Sequence, residues 1–157
     1  MENPWRLLIS TILLNKTKRN QNIDGIIHRL FQRWPTAESV VRDATNDEDA
    51  VREYVFARVA VTGLGHNKSK AFVRLSKDYL SLVKSKIGDI NNSDPIGSTR
   101  RYLKNAEFSC TREEIKQIYN CGDYAADAYR IFIRKDYHLP VVSNDYILKV
   151  YLEWKRS

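Results

Sequence analysis

The chain has 157 residues, 43% of them apolar, enough for one domain with a sizeable core and too apolar for a disordered segment. Twenty-six Lys and Arg against 19 Asp and Glu leave a formal charge of +7, which favours a polyanionic partner or simple solubility. No run approaches the roughly eighteen apolar residues of a membrane span, and two cysteines, Cys110 and Cys121, offer neither a disulfide framework nor the four thiolates of an iron–sulfur cluster.

Taken in order, Asn3 before Pro4 reads as an N-cap followed by proline at the first helical position, where the missing N–H costs nothing. A helix is expected from there to about Leu14. Its apolar residues Trp5, Leu7, Leu8, Ile9, Ile12, Leu13 and Leu14 form a face too broad for a surface helix, so it should be packed on most sides. It ends at Asn15-Lys16-Thr17. In the next segment Ile23, Ile26, Ile27, Leu30, Phe31 and Trp34 recur with a period of 3.6 and are closed by Pro35.

Thr36 can cap a short helix through Arg42, and Asn46 or Asp47 can open another to about Val61, stopped by Gly63 and Gly65. From Asn67 to about Lys86, Ala71, Leu75, Tyr79, Leu82 and Val83 share one face while Lys68, Lys70, Arg74, Lys77 and Lys84 decorate others, a helix able to lie along a phosphate backbone. Gly88 to Ser98 reads as a loop, rich in Gly, Asn, Ser, Asp and Pro, followed by a short helix at Thr99 to Asn105. Thr111 and Glu114 form a capping box for the helix after it. No alternating strand pattern and no repeat interrupt this all-helical reading.

The organising stretch is Ile115 to Phe132, IKQIYNCGDYAADAYRIF. An amphipathic segment halts at Asn120, Cys121 and Gly122, and a second helix starts at once with Asp123, Tyr124 and Ala125. Such a turn leaves the first N–H groups of the second helix unpaired and outward, a site for one phosphate of a nucleic acid. The histidines, His28, His66 and His138, are scattered without metal-ligand spacing, so no metal site is expected.

In these residues the chain resembles the helix-hairpin-helix DNA glycosylases (the endonuclease III-like superfamily), and most closely the glycosylase domain of the methyl-CpG-binding-domain protein 4 type together with thymine/uracil mismatch glycosylases. Gly122, Tyr124, Ala125, Asp127, Tyr129, Ile131 and Phe132 fall in register with the family's hairpin. Pro4 to Thr17 is similar to its first helix, Gly63, Leu64, Lys70 and Tyr79-Leu80 to its middle, and Asp145, Leu148, Tyr151 and Trp154 to its catalytic-aspartate helix. The resemblance covers about two thirds of the chain, and four matches in the right order are more specific than any one of them.

The resemblance implies one domain over residues 1–157, an all-α bundle in two lobes with the active site between them, and a region at 81–114 longer than the family's. It implies excision of thymine or uracil opposite guanine by base flipping, which would start base-excision repair. Asp145 would stabilise the positive charge that develops on the sugar, activate water, or both; without the resemblance the favoured reading is the cap of the last helix. Tyr124 stands where bifunctional relatives place a Schiff-base lysine, so a monofunctional enzyme is expected; otherwise it is a half-buried tyrosine. Lys16 and Leu64 match residues that fill the gap left by the flipped base, with Gly63 and Gly65 letting the backbone approach the duplex. Their plainer roles are a cation at a helix C-terminus and a core residue beside a C-cap.

Asn120, Gly122, Tyr124 and Ala125 of the hairpin, with Lys68 and Lys70, complete the expected DNA contacts. No cofactor is expected beyond a monovalent cation that the hairpin carbonyls permit, and no iron–sulfur cluster. The partner would be duplex DNA with a mismatched or damaged base, bound by a monomer away from membranes. The start lacks a signal peptide's features, so an intracellular compartment is expected, the nucleus in a eukaryote and otherwise the cytoplasm and nucleoid. Asn120 replaces the family's first hairpin glycine, tolerable because Asn best accepts positive φ, and Asp123 replaces a common basic residue, which should weaken DNA binding. The segment before the family's first helix is nearly absent here. Adenine excision opposite 8-oxoguanine, or a non-catalytic hairpin module that only binds DNA, are the alternatives.

Overall fold

A computed structural model describes residues 3–17, 22–93 and 106–157, and among them every regular element is helical. The α1 helix spans Pro4–Leu14, α2 Ile23–Arg33, α3 Ala37–Val59 and α4 Gly65–Ser93, with a 3-10 turn at Ala60–Thr62 between the last two. Then follow α5 at Arg112–Gln117, α6 at Asp123–Phe132 and α7 at Tyr146–Arg156.

α1 is the centre of the bundle, as its broad apolar face requires. The Asn3 carboxamide oxygen caps it by accepting the Arg6 N–H at 3.0 Å. It packs against α2, α4 and α6. Trp5 lies 5.4 Å from Phe31 and 6.3 Å from Phe72, centroid to centroid, and donates its indole N–H to Ser76 at 2.9 Å, so the large ring is buried without an orphan donor. In α2 Leu30 and Phe31 enter the core, and Trp34 closes it with its edge against Tyr54.

The two helices expected between Thr36 and Val61 are present as two halves of α3. The break falls at Asp47, whose backbone is extended at φ −157° and ψ 92°. Its carboxylate accepts the Ala50 N–H at 3.1 Å and so caps the second half, which selects Asp47 over Asn46. Two boundaries differ from expectation. Gly65 does not stop a helix but begins α4, because a Cβ there would sit 2.9 Å from the Phe56 ring and from the Ala60 Cα. The backbone from 88 to 93, expected as loop, continues α4: a glycine costs only about 1 kcal/mol inside a long helix whose propagation is already under way. The rest of that loop and the helix expected at Thr99–Asn105 lie outside the described residues.

One large core joins α1 to α6, and a small second cluster of Ile131, Leu148 and Leu152, flanked by Phe132 and Tyr151, fastens α7 to α6. Tyr129 ties the 106–110 segment to the hairpin, donating to the Glu107 carbonyl at 2.6 Å and accepting the Cys110 N–H at 3.1 Å. No helix among the described residues is long and apolar enough to cross a membrane.

Candidate active site

The hairpin is built as its sequence dictates. Thr111 accepts the Glu114 N–H at 3.1 Å and Glu114 accepts the Thr111 N–H at 3.0 Å, so α5 opens with a complete capping box. α5 ends at Ile118, whose carbonyl accepts the Cys121 N–H at 3.0 Å to close the turn. Asn120 stands at φ 64°, the left-handed region that asparagine tolerates better than other non-glycine residues. The Tyr119 N–H donates to Asp78 at 2.8 Å, anchoring the turn to α4. Cys121 is buried in this turn, and burial pushes its thiol up to about 12, well away from the thiolate form.

Gly122 then precedes α6 and supplies no side-chain cap, which leaves the first N–H groups of that helix to an outside acceptor. Nothing lies within 4 Å of where a Gly122 Cβ would be, and its φ of −105° is open to any residue. The fold itself therefore does not need glycine here. Open space over bare N–H groups is what the approach of a phosphate requires. Asp123 does not present a free charge to that site: it pairs with Arg112 at 2.5 Å and Lys116 at 3.2 Å, which together hold its carboxyl below the usual range.

A cleft of about 370 Å³ opens beside the hairpin, lined by Thr11, Ile12, Leu14, Asn15, Lys16, Asn120, Gly122, Tyr124, Ala125 and Asp145. It gathers six residues singled out from the sequence: Lys16, Asn120, Gly122, Tyr124, Ala125 and Asp145. Thr11 and Asn15 were not among them. An i, i+4 polar pair on an otherwise apolar helix was their available signal.

Asp145 precedes α7 and accepts the Leu148 N–H on one carboxylate oxygen at 2.8 Å; the other takes no hydrogen bond among the described residues. The two readings of this residue are thus compatible, since one oxygen caps and one is spare. Tyr124 is 40% exposed, and burial followed by the Asp145 charge raises its phenol above the ordinary value, which keeps it a protonated donor at neutral pH.

A second cleft adjoins the first, sharing Ile12, Asn15, Lys16 and Asn120 and adding Leu64, Asn67, Lys68 and Tyr119. Leu64 is 43% exposed at its rim. Lys16 and Leu64 both hold left-handed backbone, at φ 51° and 54°. Neither side chain can adopt that region freely, so the surrounding packing imposes it. Gly63 needs its glycine for φ 89°. Lys68 departs from the phosphate contact expected of it. It is buried at 3% exposure and donates to Thr62 Oγ1 at 2.9 Å and Thr17 Oγ1 at 3.2 Å. Lys70 is exposed on α4 and lines neither cleft.

No group of His, Cys, Asp and Glu able to hold a metal occurs among the described residues. The Ile118 carbonyl of the turn accepts one hydrogen bond among the described residues, which leaves its second lone pair open.

No family model matches the chain. It is 28% identical over 154 residues to the methyl-CpG-binding domain protein 4-like protein of Arabidopsis thaliana, across 98% of this chain and 26% of that protein. It is 25% identical over 124 residues to the thymine/uracil-DNA glycosylase of Pyrobaculum aerophilum, across 79% of this chain and 41% of that protein. The second match relates the chain, at a distance, to a DNA glycosylase. The chain spans well under half the length of either relative. The span of similarity to the first takes in the hairpin, the α1 terminus and the Asp145 helix together.

Proposed function

We propose that the protein is a monofunctional DNA glycosylase that removes thymine or uracil opposite guanine and leaves an intact abasic site. The observation that carries this reading is the cleft lined by both Tyr124 and Asp145, a carboxylate with only one oxygen engaged in capping, beside the bare N–H groups of α6. Those groups would hold one phosphate. A nucleotide rotated out of the duplex would enter the cleft, with Lys16 and Leu64 filling the space it left.

Cleavage of the bond between base and deoxyribose leaves positive charge on the sugar as the electron pair departs with the base. The Asp145 carboxylate stabilises that charge, and its spare oxygen accepts a proton from the attacking water. Tyr124, kept protonated, stacks on the base or donates to it. A phenol forms no Schiff base, so strand cleavage by elimination is not expected at that position. Lys16 brings an amine to the same cleft and is assigned to the duplex; trapping with borohydride distinguishes that role from covalent chemistry.

Single-turnover assays on duplexes bearing one T:G, U:G or A:8-oxoguanine pair test the reading. Product that needs alkali for strand breakage, vanishes in Asp145→Asn and leaves no borohydride adduct is expected with T:G or U:G. Salt-sensitive binding without product from any duplex would make this a DNA-binding module with Asp145 as a helix cap.

A further inference from the structure

Between α6 and α7 the chain runs from 133 to 145 without regular structure, so its backbone groups need partners from elsewhere. Arg156 of α7 donates to the carbonyls of Tyr137 at 2.7 Å and Leu139 at 3.0 Å, and two side chains one turn apart on α6 supply further partners. Asp127 Oδ2 accepts the Val142 N–H at 3.1 Å and the Ser143 N–H at 2.7 Å. Arg130 donates to the carbonyls of Asp136 at 2.8 Å, Leu139 at 3.0 Å and Pro140 at 2.9 Å. One residue takes the segment's donors and the other its acceptors. Both are deeply buried, Asp127 at 0% and Arg130 at 7% exposure.

The other Asp127 oxygen receives Arg112 of α5 at 2.6 Å, and Arg112 also bonds Asp123 at the head of α6. The carboxylate that grips the segment just before Asp145 is therefore linked to the hairpin. A buried ion pair is a poor way to add stability, because desolvation offsets most of the attraction. What it supplies here is a fixed geometry for two N–H groups.

We propose that Asp127 and Arg130 are positioning residues that hold the 136–143 segment so that Asp145 keeps its place in the wall of the cleft. This rests on the glycosylase reading of Asp145. Displacement of a reacting group by about 1 Å costs on the order of 100-fold in rate, while Arg130 bonds the loop carbonyls and no group of the hairpin turn.

The test compares wild type, Asp127→Asn and Arg130→Lys on the cleavable mismatch. Three quantities are measured: the single-turnover rate constant at saturating enzyme, the Kd for a duplex with an uncleavable nucleotide, and amide exchange in 140–144. Asparagine keeps one acceptor but turns an amide towards Arg112, and lysine cannot reproduce a fork onto three carbonyls. The expected result is a rate constant down by about 10- to 100-fold and faster exchange in 140–144 for both variants, with Kd within about threefold for Arg130→Lys, which leaves the Arg112–Asp123 pair in place. A wild-type rate in both variants would overturn the inference, as would a Kd for Arg130→Lys that weakens in step with its rate. If Asp127→Asn does not fold, Arg130→Lys decides alone. A wild-type protein that cleaves no duplex overturns the glycosylase reading instead.

Discussion

The Lys68 ammonium donates to the Thr17 hydroxyl at 3.2 Å, joining positions 51 residues apart. With its bond to Thr62 it holds the turn carrying Lys16 against the turn carrying Leu64, and a Cβ on Gly63 would come within 3.7 Å of the Lys16 carbonyl. Burial lowers the pKa of this ammonium. Lys68→Met keeps the stem and removes the clasp. Stability should stay within about 1 kcal/mol, because the Thr62 hydroxyl keeps its bond to Val59 and a desolvated charge is relieved. Base flipping, read by 2-aminopurine fluorescence, should fall several-fold. Unchanged flipping would show that the two turns need no fastening.

Two glycines, Gly122 and Gly63, carry opposite predictions. Gly122→Ala should leave Tm unaltered, since its Cβ meets nothing, yet weaken duplex binding by excluding the phosphate. Gly63→Ala should destabilise by about 1 kcal/mol or more, because φ 89° is a glycine conformation. Thermal melts and salt-series binding on the two variants separate these effects.

At Asp145 capping and chemistry are separable by substitution. Asparagine caps as well as aspartate, so Asp145→Asn should melt with wild type while losing cleavage. Asp145→Ala should lose cleavage and about 1 kcal/mol of stability, as the Leu148 N–H is left without its acceptor. Full cleavage by Asp145→Asn would remove the residue from the chemistry.

Glu107 gives a pH prediction. Burial raises its carboxyl above 4.5, against the opposing hydrogen bond from Tyr79 at 2.9 Å. With the folded pKa above the unfolded one, the contribution is fully present below pH 4.5 and declines as pH rises through the raised value. Urea midpoints for wild type relative to Glu107→Gln should therefore fall on going from pH 4.5 towards neutrality. A constant difference across that range would contradict the burial argument.

The sequence by itself determined what is local. The 3.6 period of Ile23 to Trp34, the caps at Asn3, Thr36 and Thr111, and the positive φ of Asn120 follow from residue types and near neighbours, because helix faces and termini are satisfied within a few positions. The resemblance named six of the residues that line the cleft, but not Thr11 or Asn15. Tertiary structure decided the rest. Whether a lysine is a surface cation or a buried clasp depends on which turns lie beside it, and Lys68 and Lys70, two positions apart, differ for that reason. By its local sequence Gly65 reads as a stop, whereas in the fold it is a packing glycine under Phe56. Asp127 and Arg130 look like an ordinary i, i+3 pair on a helix; only the return of residues 136–143 over α6 turns them into the grip on the Asp145 segment, because the backbone groups they satisfy come from a stretch with no ladder of its own.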